Sequence, residues 1–135
     1  MRSACLALIL SVLFPAGLVF AADDAPPQEN SQSALFYKLT PSLITNVQGR
    51  AAYVRCDIQL MTRGENKLDQ IALHEPALRH ELLLMLGDQQ SDTVTTPKGK
   101  EKLRKTLLKA VRGVMESHAC GDCIDDLYFT SFFVQ

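Results

Sequence analysis

A chain of 135 residues and 14.9 kDa has room for one domain and no more. Its 14 basic and 15 acidic side chains leave a formal net charge of -1, which argues against a general polyanion binder, so nucleic acid is not an expected partner. With 47% hydrophobic residues, 21% charged residues, 7 glycines, 6 prolines and no tryptophan, it is neither disordered nor collagen-like, nor an aromatic platform for sugars or bases.

Met1-Arg2-Ser3 carries one positive charge, and residues 4–22 carry none. This opening reads as a secretory signal peptide or a short membrane anchor, and either one exports the rest of the chain. Pro15 and Gly17 interrupt the apolar run of residues 6–14, Val19 and Ala21 put small side chains at a cleavage site, and Asp23-Asp24 come next. These features favour cleavage after Ala21. The length of the uncharged stretch, close to the roughly 20 residues a bilayer needs, keeps an anchor and membrane contact open. Cys5 lies too early, and without a small-residue lipobox, to carry a lipid. Residues 22–33, with two prolines, mostly polar side chains and no large apolar one, read as a flexible linker. Residues 34–135 remain as the folded domain.

Leu35 to Leu39 is strand-like, Thr40-Pro41 interrupts it, and residues 42–47 resume with Leu43, Ile44 and Val47. Proline removes a ladder donor, so the pair predicts an edge strand broken in two. After a turn at Gln48-Gly49-Arg50, residues 51–62 alternate cleanly. Val54, Cys56, Ile58 and Leu60 fall on one face, Arg55, Asp57, Gln59 and Met61 on the other, as in a half-buried strand joined to its predecessor by a hairpin. Residues 67–74 predict a short helix with Leu68, Ile71 and Ala72 inward. Pro76 opens a second helix with Leu78, Leu82, Met85 and Leu86 as its stripe and Gly87 as its cap. Residues 88–95 are a polar connection with one strand-like pair, Val94-Thr95. Thr96 and Pro97 then suit the cap and first position of a long helix ending near Ser117, striped by Leu103, Leu107, Ala110, Val111 and Val114. Lys98, Lys100, Lys102, Arg104, Lys105, Lys109 and Arg112 make this helix basic. That composition suits either a solvated outer face or a surface for acidic headgroups or an acidic partner, and the solvated face is the simpler expectation. Residues 124–135 close the chain as a strand with Leu127, Tyr128, Phe129, Phe132, Phe133 and Val134. Apolar residues in both phases predict a central strand covered on both sides, beside one of the first two. The fold class is α+β: an antiparallel sheet with packed helices.

Cys120-x-x-Cys123 is the sharpest local motif, as a disulfide, a redox pair or half of a metal site. It follows a helix rather than opening one, so the dipole that activates a redox thiol is missing. Ile124 in place of histidine excludes covalent haem. His118 and the two cysteines would need Cys56 or Asp122 as a fourth ligand, and Cys56 sits on an apolar strand face as a small core residue. In an exported protein a structural disulfide is the default. No nucleotide loop, zinc-protease motif or nucleophile elbow is present, so neither an enzyme nor a cofactor is expected.

Five segments in order resemble one family. FYKLTPSLITNV, with Asn46 near its end, resembles an opening strand, AAYVRCDIQLM a second strand and EPALRHELLLMLGDQ a middle helix. Gly99, Lys100, Leu103 and Arg104 resemble a Gly-Lys-x-x-Leu-Arg helix start. Phe129, Thr130, Phe132, Val134 and Gln135 resemble a terminal strand that ends the protein. Together they are similar to FliL, the flagellar basal-body-associated family, over residues 35–135. The resemblance implies a non-enzymatic, stomatin/prohibitin (SPFH)-like domain on the periplasmic side of the inner membrane. It also implies a homo-oligomeric ring with flagellar stator and basal-body proteins as partners, supporting torque, swimming and swarming. The near absence of a cytoplasmic tail departs from the usual build of the family, and the cysteine pair is not part of the pattern. A small periplasmic thiol-redox or metal-handling protein using Cys120 and Cys123 is the alternative.

Overall fold

The computed structural model describes residues 33–51 and 53–135; the signal or anchor segment, Cys5 and nearly all of the linker lie outside them. The elements run β1 (Ala34–Lys38), β2 (Leu43–Asn46), β3 (Tyr53–Arg63), α1 (Glu65–Leu73), α2 (Glu75–Gly87), α3 (Ser91–Val94), α4 (Pro97–His118) and β4 (Asp126–Val134). The domain is α+β, with an open, wholly antiparallel sheet and four helices among the described residues.

β3 is the spine of the sheet. Along one edge it pairs first with β2, from Leu43↔Cys56 to Asn46↔Tyr53, and further on with β1, from Ala34↔Arg63 to Lys38↔Gln59. Along its other edge it pairs with β4, from Val54↔Val134 to Met61↔Asp126. β1 and β2 are thus one edge strand broken at Thr40-Pro41, whose peptide bond is cis. The expected hairpin and the break are both present. The sheet is only three strands wide, since β1 and β2 share an edge.

The alternation in β3 decides which face is covered. Val54, Cys56, Ile58, Leu60 and Thr62 are buried, and the helices lie over them. α2 supplies Leu78, Leu82 and Leu86; α4 supplies Leu103, Leu107, Val111 and Met115 at four-residue spacing, its buried stripe. Ile71 comes from α1 and Leu127 from β4. Thr62 is fully buried and its hydroxyl oxygen has no hydrogen-bond partner. A buried orphan hydroxyl costs more than it returns, so Thr62→Val is expected to raise stability by about 1 kcal/mol, read as a higher urea midpoint with unchanged slope.

Four expectations need correction. Ala72 is exposed, because α1 turns only Ile71 fully inward. Gly87 is the last helical residue rather than a left-handed cap; Asp88 ends α2 in a right-handed conformation. Val94-Thr95 is not strand: α3 is a single helical turn there. Gln48 holds the entry to α3, its N–H donating to the Gln89 carbonyl at 3.0 Å and its carbonyl accepting from the Ser91 N–H at 2.8 Å. Finally, β4 is not central. Among the described residues it pairs with β3 alone and is an edge strand.

A β-bulge explains that last difference. Asp57 pairs with Ser131 but Ile58 pairs with Phe129, so Thr130 is an extra residue in β4. Across the bulge the side-chain phase shifts by one. Leu127, Phe129, Phe132 and Val134 all register against core-facing residues of β3, whereas Tyr128 and Phe133 register against its outer face. Strict alternation would have put Phe129 and Phe132 on opposite faces.

Candidate functional site

Two features stand out around β4: the seam that fastens α4 to it, and the uncovered face of the sheet.

The seam begins at the start of α4. The Thr96 side chain accepts from the Gly99 N–H at 3.0 Å, the cap the sequence predicts. Gly99 is buried, and a Cβ built on it would lie 1.8 Å from the Thr93 carbonyl oxygen, so the backbone of α3 comes closer than any side chain permits. The next residue, Lys100, stands over the Phe132 ring at 5.2 Å, and Phe132 meets Phe129 edge-to-face at 4.9 Å. Arg104 holds Glu101 with two hydrogen bonds of 2.9 Å and reaches across to β4, donating to the Asp126 carboxylate at 2.5 Å and the Leu127 carbonyl at 3.1 Å. Two turns later Arg112 donates to the Ile124 carbonyl at 2.8 Å and to that of Asp125. Two of the seven basic residues of α4 are therefore structural clasps, and Lys100 is committed to an aromatic ring.

The two carboxylates answer to this geometry. The Arg104 guanidinium holds Glu101 below the usual carboxylate range. Desolvation works against the charge of Asp126, but the Leu127 N–H, the Tyr128 hydroxyl and then Arg104 outweigh it and keep its carboxyl low. A lowered folded-state value contributes stability above the unfolded value of about 4, and that contribution is lost as pH falls through the folded value. Arg104→Ala is expected to cost about 1–2 kcal/mol at neutral pH, after allowing for partial exposure. The gap to wild type should narrow as pH falls through the lowered folded value of Asp126, below which its carboxyl is neutral in both proteins; urea melts at neutral pH and down an acid series measure this.

At the end of the chain Gln135 closes the sheet against Tyr53. Their backbones exchange hydrogen bonds of 2.8 and 3.0 Å, and the Tyr53 hydroxyl donates to the Gln135 side-chain oxygen at 2.8 Å. Val134 sits opposite Val54, and the bulged Thr130 donates to the Asp57 carbonyl at 3.4 Å. The motif residues Gly99, Lys100, Leu103, Arg104, Phe129, Thr130, Phe132, Val134 and Gln135, split between two stretches of sequence, thus lie along α4, β4 and the start of β3.

Cys120 and Cys123 are joined as a disulfide, Cα atoms 5.5 Å apart, in the turn between α4 and β4. Lys67 of α1 pairs with Asp122 in that turn at 2.6 Å. Cys56 is a separate, buried thiol, pushed up to about 12 by burial and then by the Asp57 charge, so it is neutral and inert in the folded domain. The bonded pair offers no free thiol for redox or metal chemistry. Among the described residues no three His, Cys, Asp or Glu side chains cluster as a metal site. A shallow groove between α1 and α2 is lined by Ala72, Leu73, Pro76, Arg79, His80 and Leu83, with Glu75 at its wall. Glu75 accepts from the Tyr37 hydroxyl and pairs with Arg79 at 3.9 Å, so its charge is already matched.

Comparison with known proteins bears on what this arrangement is for. The protein-family model described as flagellar basal body-associated protein FliL matches residues 36–135. The chain belongs to the FliL family. It is also 26% identical over 113 residues to the flagellar protein FliL of Aquifex aeolicus (strain VF5), covering 82% of this chain and 68% of that protein. The FliL match takes in the whole α4–β4 seam.

In this FliL domain the uncovered sheet face is the other notable surface. Tyr53, Arg55, Asp57, Gln59 and Met61 alternate outward along β3. Beside them stand four large apolar side chains open to solvent: Phe133 at 60% exposure, Ile44 at 57%, Phe36 at 51% and Tyr128 at 38%. The registers group them in two patches. Phe36 registers with Met61 and Tyr128 with Gln59, their rings 6.3 Å apart and the Tyr128 hydroxyl 3.9 Å from the Met61 sulfur, while Ile44 and Phe133 flank Arg55. Between the patches Asp57 accepts from the Ser42 hydroxyl at 2.5 Å. Isolated surface apolar residues need no explanation, but two patches on a sheet face that no helix covers among the described residues, beside a strand edge unpaired among them, form a surface suited to a protein partner.

Proposed function

We propose that this domain acts without catalysis, on the periplasmic side of the inner membrane, as a collar protein of the flagellar motor. Copies pack side by side in a ring of the SPFH-like kind beside the stator and brace it, supporting torque, swimming and swarming. Family membership supports the flagellar setting. The observation that carries the collar is the sheet face left free of helices among the described residues, with its Phe36–Tyr128 and Ile44–Phe133 patches beside the β4 edge that no described strand pairs. A ring needs two different surfaces of one protomer to meet, and the domain has two unlike edges: the broken β1–β2 edge and the continuous, bulged β4 edge. Arg55, exposed between Ile44 and Phe133, suits the rim of such a contact better than Asp57, which is already bonded to Ser42. The N-terminal segment, anchored or cleaved after Ala21, sets whether the collar is tethered or free.

Deleting the gene should leave filaments assembled while swarming through agar fails or slows. Normal swarming by the deletion strain, together with absence of the protein from purified basal bodies, would refute this role.

A further inference from the structure

We propose that His74 and His118 form a two-histidine site for a divalent transition metal such as zinc, which clips the α1–α2 junction to the end of α4. The two rings belong to different elements and lie with centroids 5.5 Å apart and planes inclined by 53°. A metal–imidazole nitrogen bond is about 2.0–2.1 Å, which puts a ring centre roughly 3 Å from the metal. Two imidazoles on one tetrahedral ion therefore have centres roughly 5–5.5 Å apart, the separation seen here.

Backbone and tautomer favour the same reading. His74 is the junction residue between the two helices, its N–H donating to Gln70 at 3.1 Å and its carbonyl accepting from Leu78 at 3.1 Å. His118 lies in the last turn of the 22-residue α4, where the helix dipole favours a cation. Its Nδ1 lies 2.8 Å from the Val114 carbonyl oxygen. A carbonyl only accepts, so in the neutral ring Nδ1 carries the hydrogen and Nε2 keeps its lone pair for a metal, an orientation common among metal-binding histidines. The chain leaving α4 is held by the Ala119 and Cys120 N–H groups, both bonded to the Met115 carbonyl at 2.8 Å, and by the Cys120–Cys123 bridge. Water would complete the coordination, so this is an exchangeable site and weaker than a four-ligand structural zinc.

Tag-free full-length protein titrated with zinc chloride should bind one ion with a dissociation constant on the order of 10 µM, as two protein ligands allow. His74→Ala and His118→Gln should each weaken binding at least about tenfold, whereas His80→Ala should not. His118 is exposed, so His118→Gln leaves the fold intact for the comparison. Cobalt in place of zinc should give a tetrahedral spectrum without the intense sulfur-to-metal band. The proposal is overturned by the absence of saturable binding at submillimolar zinc, by binding that survives either substitution, or by a thiolate band, which would move the metal to the cysteines.

Discussion

Gly99→Ala should destabilise the domain by about 3 kcal/mol or more, although alanine is the better helix former by about 1 kcal/mol. The contest has a clear winner, since the added methyl would stand 1.8 Å from the Thr93 carbonyl oxygen and 2.7 Å from its carbon. Those atoms are backbone and cannot swing aside as a side-chain tip can. Relief requires moving α3 from the start of α4, which also strains the Thr96 cap on the Gly99 N–H. A helical glycine without such a neighbour is the control: nothing lies within 4 Å of a Cβ placed on Gly113. Gly113→Ala should therefore stabilise by up to about 1 kcal/mol. Opposite signs for the two substitutions in one urea series would establish that close approach, not helix propensity, fixes the motif glycine.

Leu107→Ala should cost about 3–4 kcal/mol, the range for emptying a fully buried leucine site. Leu107 is completely buried in the middle of α4, whose inner stripe packs on α2 and β4. A domain of about a hundred residues has only about 5–15 kcal/mol in all, so the variant should be marginal at 37 °C. Lys109→Ala, exposed on the same helix, should stay within about 0.5 kcal/mol of wild type.

β3 and α4 were legible from sequence because their periodicity is long and uninterrupted: buried Val54, Cys56, Ile58 and Leu60 keep a period of two, and Leu103, Leu107 and Val111 a helical one. The Thr96-Pro97 signal located the start of α4 because capping is local chemistry. β4 misled because Thr130 resets its phase, and a bulge leaves no mark in composition. Once the phase is corrected, the apparent two-sided strand becomes a one-sided edge, and Tyr128 and Phe133 pass from core to surface. The α4–β4 seam was visible only as two motif fragments. The Arg104–Asp126 contact joins residues 22 positions apart, and no periodicity pairs side chains across an intervening turn. The His74–His118 approach, across three helices, left no signal at all.

We propose that copies meet at the motor through the sheet face beside β4 that the described helices leave open. Phe133→Glu tests it most directly, since Phe133 is exposed and its loss should not harm the core. The variant, expressed from the native locus, should melt within a few degrees of wild type, lose higher-order assemblies on cross-linking and swarm like the deletion strain. Wild-type cross-linked assemblies and full swarming from a folded Phe133→Glu protein would contradict the claim.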